Sequence, residues 1–402
     1  MYRLKDAVLL ILVGLAVSGL VACRPTPQAT PTPTPPSIPT NIPVVIPTTL
    51  PPTPTPPPTA TPIPAYGPTG FPANINPLTG LEVSDPNVLN RRPILIKVSN
   101  ESEVVRPQSG LSFADQVWEY QMEGFAQTRF TAIIYSQSPE RVGSVRSARL
   151  IDVEHLVDMY GGILVFSGGS SNLADPPGSP PRIRELVLRA PWADRAISEQ
   201  YGDGPPLLVR IPDIPRPGVA SWHTLFAVPA EIWNKANAEG FNQRPVLDGF
   251  RFDYTVPAGG TPTTEVVIDY PSYGPKHTWR YDAATGRWLS WTDDQPDGDT
   301  LTPGQQLAFD NVVIVYAEHY EADFLEDDNA KLYSVGVNLM GQGQAVLLRD
   351  GQRFEVTWRR SNPNSLIQFF DASGNVIAFK PGTTWFNVAS SNIFPPTITF
   401  TP

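Results

Sequence analysis

Cysteine is almost absent: Cys23 is the only one in 402 residues. An intrachain disulfide and a cysteine zinc site are therefore both excluded. Histidine is scarce, with four residues; no two have metal-ligand spacing and no HExxH occurs. Charged residues make up only 17%, and the formal net charge is −10. That balance argues against nucleic acid as a partner and leaves room for a local basic patch that takes a small anion. The chain has no GxSxG elbow and no cysteine to spare for nucleophilic chemistry. Gly168-Gly169 follows a strand but lacks the GxGxxG context of a phosphate turn. No catalytic set, metal site or cofactor motif is complete. The one apolar run, residues 7–21, is shorter than the roughly 20 residues of a membrane span.

What is abundant is proline, 47 residues. Residues 1–23 have the form of a secretory signal: Arg3 and Lys5, the apolar run, then Leu20-Val21-Ala22-Cys23, which resembles a bacterial lipobox. A lipid on Cys23 would anchor the chain to the membrane outside the cytoplasm, and stable anchoring needs two or more acyl chains. Residues 24–66 are a Pro/Thr-rich stalk without the N–H donors or φ freedom for helix or sheet. Its threonines are candidates for O-glycosylation. In polyproline II form, its forty or so residues span on the order of 120 Å.

Apolar patterning begins near Gly67. Residues 94–98, 116–122, 129–135 and 162–166 read as strands. In 116–122, Trp118, Tyr120 and Met122 share one face, opposite Glu119, Gln121 and Glu123. Leu150, Val153, Leu156, Val157 and Tyr160 share one face of a helix, with Ser144 or Ser147 as N-cap and Gly161 as its stop. Residues 172–227 are proline-rich loop of the kind that forms binding surfaces, and a second helix runs from Pro229 to Gly240. From about Phe250 the period is two, and Asp350-Gly351 marks a tight hairpin. The expected fold is α+β: an α/β sandwich with a mixed sheet (67–245), a mainly-β domain (246–392) and a tail (393–402).

RRPILIKVSN, RPQSGLSFADQVWEY, TRFTAIIYSQSPERVGSVRSAR and MYGGILVFSGGS resemble the first domain of the YerB family of bacterial lipoproteins. SWHTLFAVPAEIW and FEVTWRRSNPNSLIQFFDASGNVIAFKPGTTWFNV extend the resemblance through its second domain. It implies a two-domain extracytoplasmic lipoprotein of unestablished biochemical function, with a suggested link to cell-wall synthesis.

The candidate ligand residues are Arg129, Arg141, Ser144, Arg146, Ser147, Arg149 and His223. The arginines crowd around the expected helix start, where guanidinium forks fit carboxylate or phosphate. Two readings stay open. One is an anion site for a phosphate- or carboxylate-bearing envelope ligand. The other is an internal ion-pair network with Glu119, Glu123, Glu140 or Asp152. His223 either closes over the cluster or packs beside Trp222, and His155 lies on the polar side of the helix. Residues 293–299 are acidic, yet Gln295 and Gly304 occupy key calcium-loop positions, so a hairpin tip is expected.

The leading reading is a binding or scaffold module, with envelope or cell-wall proteins as further partners. The alternative is an enzyme or lipid-carrier handler, from a local similarity of Arg146-Ser147-Ala148-Arg149 to LytR-CpsA-Psr phosphotransferases. The Arg-Asp pair of that family is missing, because Leu150 follows Arg149. Cys23→Ser is expected to move the protein from the membrane to the soluble fraction and to abolish incorporation of labelled fatty acid. Retention of the label in the variant refutes the anchor.

Overall fold

The computed structural model describes residues 64–272 and 274–402, so the signal, Cys23 and most of the stalk lie outside the described residues. An eleven-stranded mixed sheet organises the rest. In spatial order it runs Thr261–Pro262, Gln352–Arg360, Gly341–Arg349, Asn311–Ala317, Thr384–Ser390, Gln116–Gln121, Thr128–Ile134, Ile94–Asn100, Ile163–Val165 and Ala196–Ile197. Gln368–Phe370 pairs off this path with Gln352–Arg360. The sheet thus takes strands from both halves of the sequence. The join is Thr384–Ser390, which pairs in parallel with Gln116–Gln121 on one side and Asn311–Ala317 on the other. At the join Trp118 lies opposite Phe386, and their rings stack 4.3 Å apart.

Both faces of the sheet are covered. One packs on the helical segment 150–160, the helix Ile183–Arg189, and aromatics including Phe250, Phe369 and Phe379. The other packs on the helix Pro229–Ala238 and a six-stranded antiparallel sheet that brings Val266, Trp279 and Trp288 against Val312, Ile314 and Trp385. Strands covered on both sides carry apolar side chains on both sides, hence the unbroken burial of Thr128–Ile134. Residues 116–122 alternate in sequence between an apolar and a polar side, and Glu119 and Gln121 on the polar side are buried too. The cover there is remote in sequence.

The helix also departs from its pattern. It starts at Leu150, so neither Ser144 nor Ser147 caps it; residues 144–148 are extended, with Arg146 N–H donating to Lys97 and Ala148 N–H to Gly168. Arg149 takes the cap position, and Asp152 reaches back to its N–H at 2.8 Å, half of a capping box. Asp152–Leu156 is a π turn, closed by Val157 N–H on the Asp152 carbonyl. The extra residue turns Asp152 and His155 inward alongside the predicted apolar face. Gly161 ends the helix in the left-handed region, as expected.

Most period-two segments form strands, and Asp350-Gly351 makes the hairpin between Gly341–Arg349 and Gln352–Arg360 with φ of 49° and 69°. Several strands escape the sequence reading, among them Leu208–Arg210 and Leu225–Ala227 within the expected loop, and His319–Asp327, which pairs with Leu332–Val337. Residues 393–402 are not a free tail, since Thr397–Thr401 pairs with Glu265–Asp269. Asp293 and Asp294 form a tight hairpin tip with positive φ. Among the described residues no helix is long and apolar enough to cross a membrane.

Trp385, 1% exposed, is wedged among the rings of Phe130, Trp279 and Phe309. Trp385→Ala is expected to cost about 3–5 kcal/mol in guanidinium unfolding. Circular dichroism and tryptophan fluorescence should report one coincident transition. Separate transitions for the two sequence halves would refute the shared core.

Candidate functional site

Arg129, Thr131 and Ile133 alternate onto the helix-facing side of their strand, with Arg129 at its first turn of the pleat opposite Tyr120 and Ser99. The extended segment 144–148 runs beside that strand end and delivers Arg146 and Ser147; the helix cap delivers Arg149. The turn at Gly169-Ser170 and the hairpin of His319–Asp327 close the surround. The result is a cavity of about 590 Å³ lined by Arg129, Arg146, Ser147, Arg149, Glu101, Glu123, Ser170, Glu326, Asp327 and several apolar residues. This size suits a small ligand. Gly169 is required here, because a Cβ would lie 2.6 Å from Ile183 on the neighbouring helix.

The three arginines are in different states. Arg149 is held by Glu123 in a two-pronged pair at 2.7 and 2.5 Å, and Glu326 adds a contact at 3.3 Å. Burial opposes the Arg149 charge, but Glu123 and Glu326 outweigh it and raise its pKa. Burial likewise pushes the Glu123 carboxyl up, and the Arg149 charge and hydrogen bond overcome it, to about 2. Arg146 pairs with Glu101 at 2.8 Å, while its Nε is buried without a partner. Among the described residues Arg129 has no carboxylate within ion-pair distance. It is 3% exposed, donates once, to the Ser147 carbonyl at 3.1 Å, and its Nε has no partner. Burial, then the Arg149 charge, lower its pKa to about 9. An unpaired buried guanidinium is costly, and an anion in the cavity relieves that cost.

The remaining candidates divide. His223 is 4% exposed with Nδ1 unpartnered, and its pKa is lowered by burial, raised by Glu101 and lowered by Arg146 and Arg129, which places it beside the cluster. Arg141 does not join the cavity; it pairs with Glu140 at 2.7 Å and reaches Thr300 at 3.3 Å. Ser144 does not line it either, and its hydroxyl is buried without a partner. Sequence reading missed Glu101 and Glu326. Glu326 sits on the strand whose charged sequence hid its period.

Beneath Arg129 lies a second polar group. Lys97 pairs with Asp152 at 3.0 Å, and Thr131 and Tyr120 donate to the same carboxylate at 2.8 and 3.0 Å. Burial lowers the Lys97 pKa to about 7, against the pull of Asp152. On the opposite face of the sheet, Glu119 accepts from His277 at 2.5 Å, and His277 Nε2 lies 2.9 Å from Ser290 Oγ. This has the connectivity of a nucleophilic triad, but Ser290 donates to Asp297 at 2.6 Å and all three groups are sealed from solvent. It is a structural network. Of the other histidines, His155 is buried rather than on a polar face, bonded to the Val337 carbonyl at 2.6 Å and to Arg360 at 3.1 Å. His319 lies 3.0 Å from the Ala317 carbonyl. Among the described residues no cluster of His, Asp and Glu has the geometry of a metal site.

Residues 78–242 match the N-terminal domain, and residues 266–386 the C-terminal domain, of a family described as a protein of unknown function (DUF3048). The chain is 29% identical over 325 residues to a Bacillus subtilis (strain 168) protein named putative lipoprotein YerB, covering 78% of this chain and 85% of that protein. The crystal structure of the YerB protein from Bacillus subtilis is similar with a TM-score of 0.61 at 28% identity, over 81% of this chain and 99% of that one.

Burial lowers the His155 and His319 imidazoles from 6.5 to about 4. Between those values the unfolded chain binds more protons than the folded one, so their contribution to stability is lost as pH falls from about 6.5 to 4. His319→Asn keeps a donor for the Ala317 carbonyl and is expected to flatten the acid-side loss by on the order of 3 kcal/mol relative to the parent. Unfolding curves at pH 7 and pH 4 measure it, and an unchanged difference refutes the assignment.

Proposed function

This chain belongs to the YerB family of two-domain proteins, and from that premise we propose that it is a bacterial envelope lipoprotein that binds a small anionic ligand. A lipid on Cys23 holds it to the outer side of the cell membrane, and residues 24–66 carry the folded region away from the surface. The lipoprotein name of the Bacillus subtilis relative supports the anchor. The ligand site is the cavity of Arg129, Arg146, Ser147 and Arg149, with His223 beside it. One observation carries this reading: Arg129 is buried and, among the described residues, has no carboxylate within ion-pair distance.

An internal network accounts for Arg149 and Arg141, whose charges Glu123 and Glu140 meet. It does not account for Arg129. The lipid-carrier reading draws less support, because it needs Arg149 to face a pyrophosphate, and both prongs of that guanidinium already engage Glu123. A scaffold role with envelope or cell-wall proteins is compatible with ligand binding and has no residue of its own to argue from.

The test is thermal stability of the full chain with phosphates, pyrophosphate and carboxylates. A ligand at about a hundred times its Kd stabilises by about 2.7 kcal/mol, and Arg129→Met should remove that gain. The same substitution should stabilise the ligand-free protein by about 1 kcal/mol or more, since it deletes an unpaired buried charge. Destabilisation together with an unchanged ligand response would sink the site.

A further inference from the structure

The charges around the cavity offer more than a contact for a negative group. Three guanidiniums (Arg129, Arg146, Arg149) line it with four carboxylates (Glu101, Glu123, Glu326, Asp327), so its ionised lining carries one negative charge more than positive. A negative group on Arg129 would leave the carboxylate side of the lining unused. Most of these groups are already matched. Glu123 holds Arg149, Glu101 holds Arg146, and Asp327 accepts the backbone N–H groups of Asn329 and Ala330 in its own hairpin turn at 2.8 and 2.9 Å.

Two groups of opposite sign are left undersupplied. Arg129 has a single hydrogen bond, to a neutral carbonyl. Glu326 has a 3% exposed side chain, with only the Ser170 hydroxyl at 3.0 Å and the outer nitrogen of Arg149 at 3.3 Å. That last contact is longer than the 2.7–2.9 Å usual for charge-assisted bonds. Burial, with Glu123 nearby, raises the Glu326 pKa although Arg149, the Ser170 hydroxyl and, least, the Arg129 charge oppose it. Arg129 and Glu326 line the same cavity, and no ion pair joins them: among the described residues Arg149 is the only guanidinium within ion-pair distance of Glu326. Two buried opposite charges that line one cavity without a direct ion pair are each stabilised by a ligand that carries both signs.

Resting on the anion-site reading above, we infer that the cavity takes a small zwitterion, an amino acid or short peptide, with its carboxylate on Arg129 and its ammonium on Glu326. Met122, Ala126 and Leu332 supply apolar wall for a modest side chain. Glu326 comes from the second half of the sequence and Arg129 from the first, so the site exists only where both meet.

Isothermal titration of the full chain with alanine, dialanine and trialanine tests this, because the series varies the spacing between the two charges. The best binder is then compared with its N-acetylated form, its C-terminal amide and pyrophosphate. At least tenfold weaker binding is expected for each blocked form, and for the best binder with Glu326→Gln and with Arg129→Gln. If Glu326→Gln does not fold, the blocked peptides on the parent protein decide alone. An N-acetylated form that binds as well as the free peptide overturns the ammonium contact and leaves the anion site standing. So does binding of pyrophosphate without binding of any alanine peptide. Heat from none of these ligands overturns both.

Discussion

The strand Thr384–Ser390 is hydrogen-bonded in parallel on both sides, to Gln116–Gln121 and to Asn311–Ala317. Everything else in the folded region depends on that insertion. A parallel strand pairs only across a long connection, so the two halves of the sequence cannot complete their sheet separately. Trp385 and Phe386 point to opposite faces from this strand and enter the two different cores. The family's two sequence domains therefore share one sheet.

Covering both faces of such a sheet forces polar residues into the interior, and the protein satisfies them in networks. Glu119 receives His277, Asn387 and Trp385 within 3.2 Å, along with Thr128. Asp152 gathers Lys97, Tyr120, Thr131 and the N–H of Arg149. A satisfied network costs little once formed, and truncating one member leaves a buried orphan, so these groups constrain the register of the strands that carry them. Arg129 is the contrast: it stands at a cavity wall with one hydrogen bond, to a carbonyl, and no carboxylate within ion-pair distance among the described residues.

Much of this was legible locally. The apolar runs and the helix face of Leu150, Leu156, Val157 and Tyr160 gave the elements, and Asp350-Gly351 gave its hairpin because positive φ at two successive positions selects those residues. The crowding of Arg146 and Arg149 near a helix start pointed to the cavity. Its other wall was not legible. Glu326 lies in a strand whose charges mask a period of two, and Glu101 sits in a loop with no pattern. His155 was placed on the wrong side because a π turn, invisible in a 3.6-residue period, rotates it inward.

The sequence by itself determined the proline-rich composition of residues 24–66, the family and most kinds of secondary structure, because each depends on residues close together in the chain. The tertiary structure decided which charges are paired. Arg141, Arg146 and Arg149 look alike in sequence, yet one faces Glu140, one Glu101 and one Glu123. Arg129, a strand residue already among the candidates, is the one of the four with no carboxylate within ion-pair distance among the described residues. Pairing is set by distances of a few ångströms between residues as far apart as Arg149 and Glu326, and only the closed sheet fixes those distances.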